Sequence, residues 1–545
     1  MPTTTKLVRI SSLALALALL AAIAACGGGD GAAEGEKAEK QEITINWGTE
    51  PPSLDPGLAT DTTSANILLN IMDPLVRLDA DLEPAPSLAE SWDVSADGKT
   101  ITFHLRTDGA WTNGDPVTAH DFEFSWKRTL SPRFGADYAY QFHGIVGAEA
   151  YNSCTTNCDR LRERVGVNAV DDRTLRVRLT SAQPWFLQQV AHHSFLAVHR
   201  PTVQAHGNKW TEAENIVTNG PFRLAEWRHN ARIDLAKWRD WRNADAVSLD
   251  RANGLMLASG TTAVHAFEAG QSDVNLSVPP ADLPRLKETP EYGQYAGLGT
   301  YYYGINLKNV RDVNQRRAMS LAIDRRVLID NITRGGQVPA RGYTPKGMPG
   351  FETITPESEW LPDRADLERA KELMASVRNP KRDVTLYYNS DPGHKAIAIA
   401  IQAQWKKLGL DVLLKQQEWK QFLQFLGPPP NSDVDVYRLG WIGDYVDAMN
   451  FLEMWTCGSG NNNTTYCNRD YDRLVAEARA TSDDDQRFEI YAQLEQMLFG
   501  PEGAMPIIPI YWYTYTTLER ESVKDTFNLN LLTQVDLTKV QVVET

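Results

Sequence analysis

Cysteine is scarce in this chain, with five residues in 545. Four of them form two local pairs, Cys154 with Cys158 and Cys457 with Cys467. Neither pair has the Cys-x-x-Cys spacing or a histidine at ligand spacing, so a zinc site is disfavoured. We expect two disulfides in an oxidising compartment, and the polar stretch between Cys457 and Cys467 favours that bridge more strongly than the tighter one.

Motifs for common catalytic chemistry are absent. The sequence has no Gly-x-Ser-x-Gly elbow, no His-Glu-x-x-His pair and no Walker lysine. The best metal candidates are His192, His193 and His199, but adjacent histidines do not face one site on a regular helix or strand. We therefore expect no enzyme activity, no cofactor and no metal site.

Positive charge is in deficit. Lys and Arg number 55 against 70 Asp and Glu, which gives a formal net charge of −15. A chain this acidic lacks the basic surface that binds phosphate backbones, so nucleic acid is not expected as a partner. The length predicts about two to four globular domains, and hydrophobic residues at 42% supply their cores.

The N-terminal segment carries an apolar run, Leu13–Leu20, that falls short of the about 20 residues needed to cross a bilayer. Basic residues precede the run, and the tetrad Ile23–Cys26 that follows resembles a bacterial lipobox. We expect a lipoprotein signal peptide at 1–25, a lipid anchor on Cys26 and a flexible tether at 26–41. An ordinary secretory signal is the alternative. Both place the mature chain outside the cytoplasm, in the periplasm or at the cell surface.

The first part of the mature chain has an α+β pattern. Residues Ile101–Leu105 alternate between apolar and polar, with glycine turns on both sides, as in a half-exposed antiparallel sheet. Thr118 with Asp121 three residues on resembles a capping box and predicts a helix from that point. A further strand is predicted at Leu175–Leu179.

The later part alternates helices and strands, which predicts crossover units and a largely parallel sheet in a separate α/β lobe. The apolar stretch Ile507–Tyr515 follows this lobe and predicts a strand that returns to the first sheet. A lobe inserted between parts of another implies a hinge. The predicted helices lie at 313–332, 366–374, 395–408 and 419–426, and the strands at 384–388, 412–416 and 434–441.

Three segments resemble the signature of the family 5 extracellular solute-binding proteins, the receptors of peptide and nickel ABC importers. They are Leu88–Trp92, Asp97–Arg106 and Trp111–Phe122, and shorter matches extend the similarity over most of 42–515. The resemblance implies an α/β chain with a type II periplasmic-binding-protein fold, in which a hinge joins two lobes and an extra α+β domain makes three domains. The implied segments are domain I at 42–72, 201–304 and 509–545, domain II at 73–200 and domain III, the α/β lobe, at 305–508.

Later segments resemble the oligopeptide-binding members of that family, above all Arg438–Tyr445. By this resemblance Asp444 receives the α-ammonium of a peptide, while Arg438 and His394 meet its carboxylate directly or through water. An enclosed ammonium needs a fixed carboxylate, because its desolvation otherwise costs several kcal/mol. Arg438 offers a planar fork that suits a carboxylate. The alternative interpretation makes these residues a structural ion-pair set.

Main-chain pairing is expected to carry the affinity, because a receptor for many peptides cannot depend on particular side chains. Large aromatic side chains would line the remaining space, although core packing explains some of them equally well. The residues expected to line the cleft are Trp419, Trp441, Gly440, Ile442, Gly443, Tyr445, Tyr303 and Tyr511.

The resemblance implies short peptides as ligands, an ABC transporter permease as the partner of the closed form, and a monomer. The alternatives are another family ligand, namely a dipeptide, nickel chelate, haem or sugar, a sensor-coupled receptor, and an anchored surface hydrolase. Pro428–Pro430 and the Cys457–Cys467 loop depart from the family pattern and are expected near the cleft, which leaves the ligand length open.

Overall fold

The computed structural model describes residues 36–427 and 431–545, apart from the side chains of Trp419, Lys420 and Gln424. The expectations for Cys26, for Pro428–Pro430 and for the Trp419 side chain lie outside the described residues. The strands are β1 (Glu42–Asn46), β2 (Val76–Leu78), β3 (Pro84–Pro86), β4 (Ala89–Val94), β5 (Thr100–Leu105), β6 (Val167–Asp171), β7 (Thr174–Arg178), β8 (Phe222–Arg228), β9 (Arg232–Lys237), β10 (Arg251–Leu255), β11 (Val274–Asn275), β12 (Tyr292–Ile305), β13 (Val338–Pro339), β14 (Asp383–Asn389), β15 (Asp411–Gln417), β16 (Val436–Ile442) and β17 (Ile507–Glu519).

The helices lie between these strands and on the faces of the sheets. Short 3-10 segments occur at Asp137–Phe142, His193–Phe195, Gly207–Lys209, Ala244–Ala246 and Glu453–Trp455, and a π-helical turn at Ile329–Thr333. The α-helices are α1 (Thr62–Ile71), α2 (Ala119–Thr129), α3 (Ala148–Asn152), α4 (Cys158–Arg162), α5 (Phe186–Gln189), α6 (Arg200–His206), α7 (Gly260–Glu268), α8 (Leu283–Leu286), α9 (Val313–Leu321), α10 (Arg325–Leu328), α11 (Phe351–Ile354), α12 (Leu367–Ser376), α13 (Pro392–Lys406), α14 (Trp419–Leu426), α15 (Met449–Leu452), α16 (Arg469–Ala480), α17 (Asp484–Phe499) and α18 (Glu521–Lys524).

One large mixed sheet dominates the described chain. Its strand order is β15-β14-β16-β12-β17-β11-β1-β10-β9-β8, and β13 pairs with β17 beside this path. β14 runs parallel to both β15 and β16, as the alternating helices and strands predict, whereas β12 is antiparallel to β16 and β17. A separate four-stranded sheet has the order β4-β5-β7-β6.

The two longest strands, β12 and β17, join the halves of the large sheet. The start of β12 pairs with the end of β17, and the remainder of β12 pairs with β16 on its other side. The end of β17 pairs with β11, which in turn pairs with β1. The last strand therefore returns to the sheet that contains β1, as predicted, and not to the separate four-stranded sheet. The pairing of β12 with β17 is irregular between Ala296 and Thr300.

The four-stranded sheet and helix α2 confirm the pattern predicted for the first part of the chain. Alternate residues of β5 are buried, and its antiparallel neighbours are β4 and β7. The predicted capping box is present, because Thr118 and Asp121 bond each other's backbone and side-chain groups at the start of α2. Phe122 and Trp126 from this helix are fully buried against the sheet.

One long predicted helix is wrong in its extent. The sequence pattern at 313–332 forms α9, α10 and a π-helical turn, separated at residues 322–324. Asp324 ends the continuity because its side chain accepts a hydrogen bond from the Val327 amide and caps α10. A side chain that competes in this way for backbone amides starts a new helix.

Buried apolar residues form three large clusters in the described chain. One draws on residues 75–197 and lies under the four-stranded sheet. A second combines 43–72, 196–274 and 523–540. The largest covers 298–511 and also receives Leu82 and Trp185 from the first segment. Three apolar cores are expected for a chain of this length, because a single core stops growing and longer chains divide into domains.

Both expected disulfides are present. Sγ of Cys154 is bonded to that of Cys158, and Cys457 is bonded to Cys467. The second loop packs beyond the end of β12, where Thr464 accepts a hydrogen bond from the Leu307 amide. In the described parts of the chain, no helix has the length and apolar character to span a bilayer.

Candidate ligand-binding cleft

The centre of the candidate site is strand β16. Its residues pair with β12 along their whole length, with Arg438 opposite Tyr303 and Gly440 opposite Tyr301. On its other side, β14 pairs with β16 at Val436 and Tyr437 alone. Within the described residues, the β16 edge from residue 438 to 442 therefore has no strand partner on that side. Such an edge can accept an extended chain as an added strand.

Asp444 follows the end of β16 and is held by Asn450. The Asn450 side-chain oxygen accepts the Asp444 amide at 3.1 Å and the Trp441 indole N–H at 2.9 Å. Its amide nitrogen donates to Oδ2 of Asp444 at 3.3 Å. Burial raises the pKa of the Asp444 carboxyl to about 6. Among the described residues no lysine or arginine forms an ion pair with it, so the carboxylate has no cation partner.

Arg438 lies six residues earlier and presents the opposite charge. The residue is 7% exposed. One terminal nitrogen donates to Oδ1 of Asn389 at 3.1 Å and the other donates to the Tyr513 hydroxyl at 3.1 Å. Nε has no hydrogen-bond partner among the described residues. The guanidinium lies 4.4 Å from the centre of the Tyr301 ring. No carboxylate of residues 36–427 and 431–545 pairs with this buried cation, which is an uncommon state for arginine.

His394 reaches the same place from helix α13. Asp391 caps this helix by accepting the His394 amide at 2.9 Å, which fixes His394 in the first turn. Nδ1 of His394 lies 3.3 Å from the Tyr301 hydroxyl. Burial lowers the pKa of His394 to about 4, and the charge of Arg438 adds to that shift. The structure thus brings Arg438 and His394 together around Tyr301.

A pocket of about 340 Å³ opens beside Asp444. Its lining includes the start of α1 with the segment before it, Tyr138, the pair His192 and His193, and the end of β16. The segment Leu532–Gln534 completes the wall. Its conformation is set by Asn530, whose side chain accepts the amides of Leu532 and Gln534.

Contacts cross the cleft between the largest apolar cluster and the segment that carries the four-stranded sheet. The Tyr140 hydroxyl lies 3.4 Å from Oδ2 of Asp444. The rings of Trp185 and Tyr445 stack, with centroids 6.3 Å apart and planes inclined by 9°. Residues far apart in the sequence therefore enclose the Asp444 end of β16.

Comparison with known proteins identifies the family. A family model described as bacterial extracellular solute-binding proteins, family 5, middle, matches residues 83–463. The chain belongs to this family. It is similar to the oligopeptide-binding protein OppA of Bacillus subtilis (strain 168), with 35% identity over 535 residues that cover 95% of this chain and 96% of the relative. The dipeptide-binding protein DppE of the same organism is 33% identical over 536 residues, with the same coverage.

A solved structure of a family 5 member gives the same result for the fold. The crystal structure of Haemophilus influenzae OppA in complex with RPPGFSPFR superposes with a TM-score of 0.77 at 30% identity. It covers 93% of this chain and 100% of that chain. The expected α/β fold of the solute-binding family is therefore confirmed.

The other side chains expected to line the family 5 cleft lie in different surroundings. Ile442 and Gly443 line the pocket with Asp444, and Gly440 lies on the β16 edge. Trp441 is half-buried against the core, whereas Tyr445, Tyr303 and Tyr511 are each at most 5% exposed. Tyr511 stacks on Tyr301 with ring centroids 4.7 Å apart.

Sequence reasoning assigned no individual role to four residues that shape this site. Tyr140 and Asn450 contact Asp444, and Tyr513 and Asn389 contact Arg438. For Tyr513 the sequence does contain a signal, because it follows Tyr511 by two residues and so lies on the same face of β17. Tyr140 is 304 residues from Asp444, and no local pattern connects them.

Proposed function

We propose that this chain is the substrate-binding component of an ABC importer and that it captures oligopeptides for delivery to the membrane permease. One observation carries this proposal. Within the described residues, Asp444 has no cation partner and the buried Arg438 has no carboxylate partner, and the two lie at opposite ends of a strand edge that no other described strand covers. A short peptide supplies both missing charges and an extended main chain. Relatives named for oligopeptide binding support the same conclusion.

The α-ammonium of the peptide binds Asp444. Burial raises the pKa of this carboxyl to about 6, which means that desolvation destabilises its ionised form in the free protein. An ammonium partner offsets this destabilisation. The Tyr140 hydroxyl, 3.4 Å from Oδ2, lies where it can help to enclose the ammonium. The loop that carries Asp444 is already fixed by Asn450, so little ordering is needed on binding.

The carboxylate of the peptide binds Arg438, with His394 beside it, directly or through water. Asp444 lies six residues after Arg438, and only the steps as far as Ile442 belong to β16, so the two Cα atoms are at most about 20 Å apart. The long arginine side chain shortens the span between the charged groups, so a peptide of a few residues fits. Water can fill the remaining gap at small net cost.

The peptide main chain pairs with the free β16 edge around Gly440. Backbone pairing does not depend on side-chain identity, which suits a receptor for many sequences. Gly440 suits this position because a Cβ there would lie 2.2 Å from the Tyr513 hydroxyl oxygen. The absence of a side chain thus keeps Tyr513 on Arg438 and keeps the edge approachable.

Three domains and a hinge complete the proposal. The proposed boundaries are those expected from the sequence. Domain I comprises 42–72, 201–304 and 509–545, domain II comprises 73–200, and domain III comprises 305–508. The three apolar clusters support this division, because each draws most of its residues from one of these sets. β12 and β17 pass between two of the domains and form the hinge, and a ligand that contacts all of them favours the closed form.

The anchored state is also part of the proposal. Cys26 carries lipid after removal of residues 1–25, the tether ends near Gln41, and the mature protein is an extracytoplasmic monomer. The family is extracellular by its description, which supports export. No chemical step on the peptide is proposed, since the chain binds and delivers its ligand unchanged.

Native mass spectrometry of freshly purified protein tests the function. We expect a distribution of co-purified masses that match short peptides and that disappear on partial unfolding and refolding. Thermal unfolding with a library of tri- to pentapeptides should then show an increase in Tm. A ligand-free mass together with no Tm shift from any peptide would contradict the proposal, and one heavy or coloured adduct would favour a haem or metal-chelate ligand.

A further inference from the structure

The pocket beside Asp444 contains a second carboxylate, Asp61. Asp61 precedes α1, and the pocket lining includes both Asp61 and Asp444. Burial raises the pKa of the Tyr138 hydroxyl, and the charges of Asp444 and Asp61 both raise it further. The two carboxylates therefore act on one aromatic ring from different parts of the chain. No lysine or arginine is present among the described residues that line this pocket.

The histidines of the pocket do not balance this negative charge. Burial lowers the pKa of His192 well below its ordinary value, and His193 adds to that shift. Burial also lowers the pKa of His193, although the charge of Asp61 opposes it. Both imidazoles are neutral at neutral pH, so the described residues of this pocket supply two carboxylates and no cation.

An independent feature of the same wall indicates a ligand. Thr533 is 6% exposed and lines the pocket, and its Oγ1 has no hydrogen-bond partner in the part of the chain that the structure describes. Its φ of 63° lies in the left-handed region, which threonine rarely adopts. A buried hydroxyl without a partner on a strained backbone is typical of a site completed by a ligand.

We infer that this pocket receives the side chain of the first residue of the bound peptide and selects a cationic one, such as lysine or arginine. Asp444 takes the α-ammonium, Asp61 takes the side-chain cation, and the Thr533 hydroxyl accepts one of its N–H groups. Asp61 already accepts the amide of Ser64 at 2.9 Å and its hydroxyl at 2.5 Å. Each carboxylate oxygen has a further lone pair for the ligand. This inference rests on the proposed function.

The test uses three tripeptides that differ in the first residue: Lys-Ala-Ala, norleucine-Ala-Ala and Glu-Ala-Ala. In titration calorimetry with the unaltered chain, we expect the lysine peptide to bind about tenfold more tightly than the norleucine peptide. The glutamate peptide should bind more weakly than norleucine. Equal binding of the lysine and norleucine peptides would overturn the inference.

The Asp61→Asn variant tests whether the negative charge of Asp61 causes the lysine preference. Asparagine keeps a side-chain oxygen for the cap of α1, so the norleucine peptide should bind as before. The lysine preference should fall to near unity, and the glutamate peptide should gain affinity, which misfolding cannot produce. A lysine preference that survives in this variant would overturn the inference.

A matched control is Asp366→Asn. Asp366 caps α12 in the same way, by accepting the Arg369 amide, and it does not line the pocket. This variant loses the same charge and should keep the full lysine preference. Loss of that preference in the control would overturn the assignment to Asp61.

The binding of N-acetyl-Lys-Ala-Ala distinguishes a failure of the proposed function from a failure of this inference alone. If it binds as tightly as the free peptide, the role of Asp444 fails and the inference fails with it. If acetylation weakens binding while lysine and norleucine peptides bind equally, the inference alone fails.

Discussion

The Tyr140 hydroxyl lies 3.4 Å from Oδ2 of Asp444, and these residues are 304 positions apart. Tyr140 belongs to the segment of the four-stranded sheet, and Asp444 follows a strand of the large sheet. Their contact closes one end of the cleft. The stack of Trp185 on Tyr445 closes the same end, so a ligand held at Asp444 contacts both sides of the opening.

Asp444→Asn should lower the affinity for peptides with a free amino terminus by about a hundredfold, because an enclosed ammonium loses its charged partner. Titration calorimetry with Ala-Ala-Ala measures this change. N-acetyl-Ala-Ala-Ala should bind weakly to both proteins. Equal affinities of the free and acetylated peptides for the unaltered protein would remove Asp444 from its proposed role.

Peptide binding should weaken in mild acid. Burial raises the pKa of Asp444 to about 6, so the carboxyl becomes protonated as the pH falls through that value and no longer pairs with an ammonium. Affinity should be constant above about pH 7 and should fall by up to about tenfold for each pH unit below the pKa. His394 stays neutral in this range, since burial lowers its pKa to about 4.

The Asp444→Asn variant is the control for this pH dependence. The peptide affinity of this variant should be lower but constant from about pH 5 to about pH 8, because the carboxyl that titrates in this range has been removed. A variant that keeps the acid-dependent loss would show that another group causes it.

Arg438→Met should weaken the binding of peptides with a free carboxyl terminus by about tenfold or more. The same variant should keep or gain thermal stability without ligand, because it removes a buried cation that has no carboxylate partner in the described chain. Differential scanning calorimetry and titration with Ala-Ala-Ala and its C-terminal amide measure both effects. An equal loss of affinity for the acid and the amide would contradict the role of Arg438.

Gly440→Ala should lower peptide affinity about five- to tenfold, because the new Cβ would lie 2.2 Å from the Tyr513 hydroxyl oxygen and displace it from Arg438. The control is Gly458→Ala, where a Cβ meets nothing within 4 Å. The control should bind as the unaltered protein does. Unchanged affinity in Gly440→Ala would show that the contact of Tyr513 with Arg438 does not contribute to binding.

Local features of the fold could be predicted from the sequence. The alternation in β5 and the capping box at Thr118 and Asp121 are short-range signals, and the structure has both. The helix predicted through Asp324 failed for a local reason as well, because the apolar pattern continues across a residue whose side chain caps a new helix. Periodicity alone does not show such competition for backbone amides.

Long-range contacts could not be predicted in the same way. The charged residues of the site were recognised through the resemblance of Arg438–Tyr445 to the family, whereas Tyr140 and Tyr513 depend on contacts across 304 and 75 positions. The free edge of β16 follows from strand order, which the sequence pattern does not determine. That neither Asp444 nor Arg438 has an ion-pair partner among the described residues likewise depends on how the chain packs.

The most direct measurement is a crystal structure of the protein with bound Ala-Ala-Ala. We expect the α-ammonium nitrogen of the peptide at about 2.8 Å from an Asp444 carboxylate oxygen. The carboxylate of the peptide should face Arg438, and its main chain should pair with β16 near Gly440. A bound peptide that leaves the Asp444 carboxylate without a cation, or that lies away from this strand edge, would contradict the account.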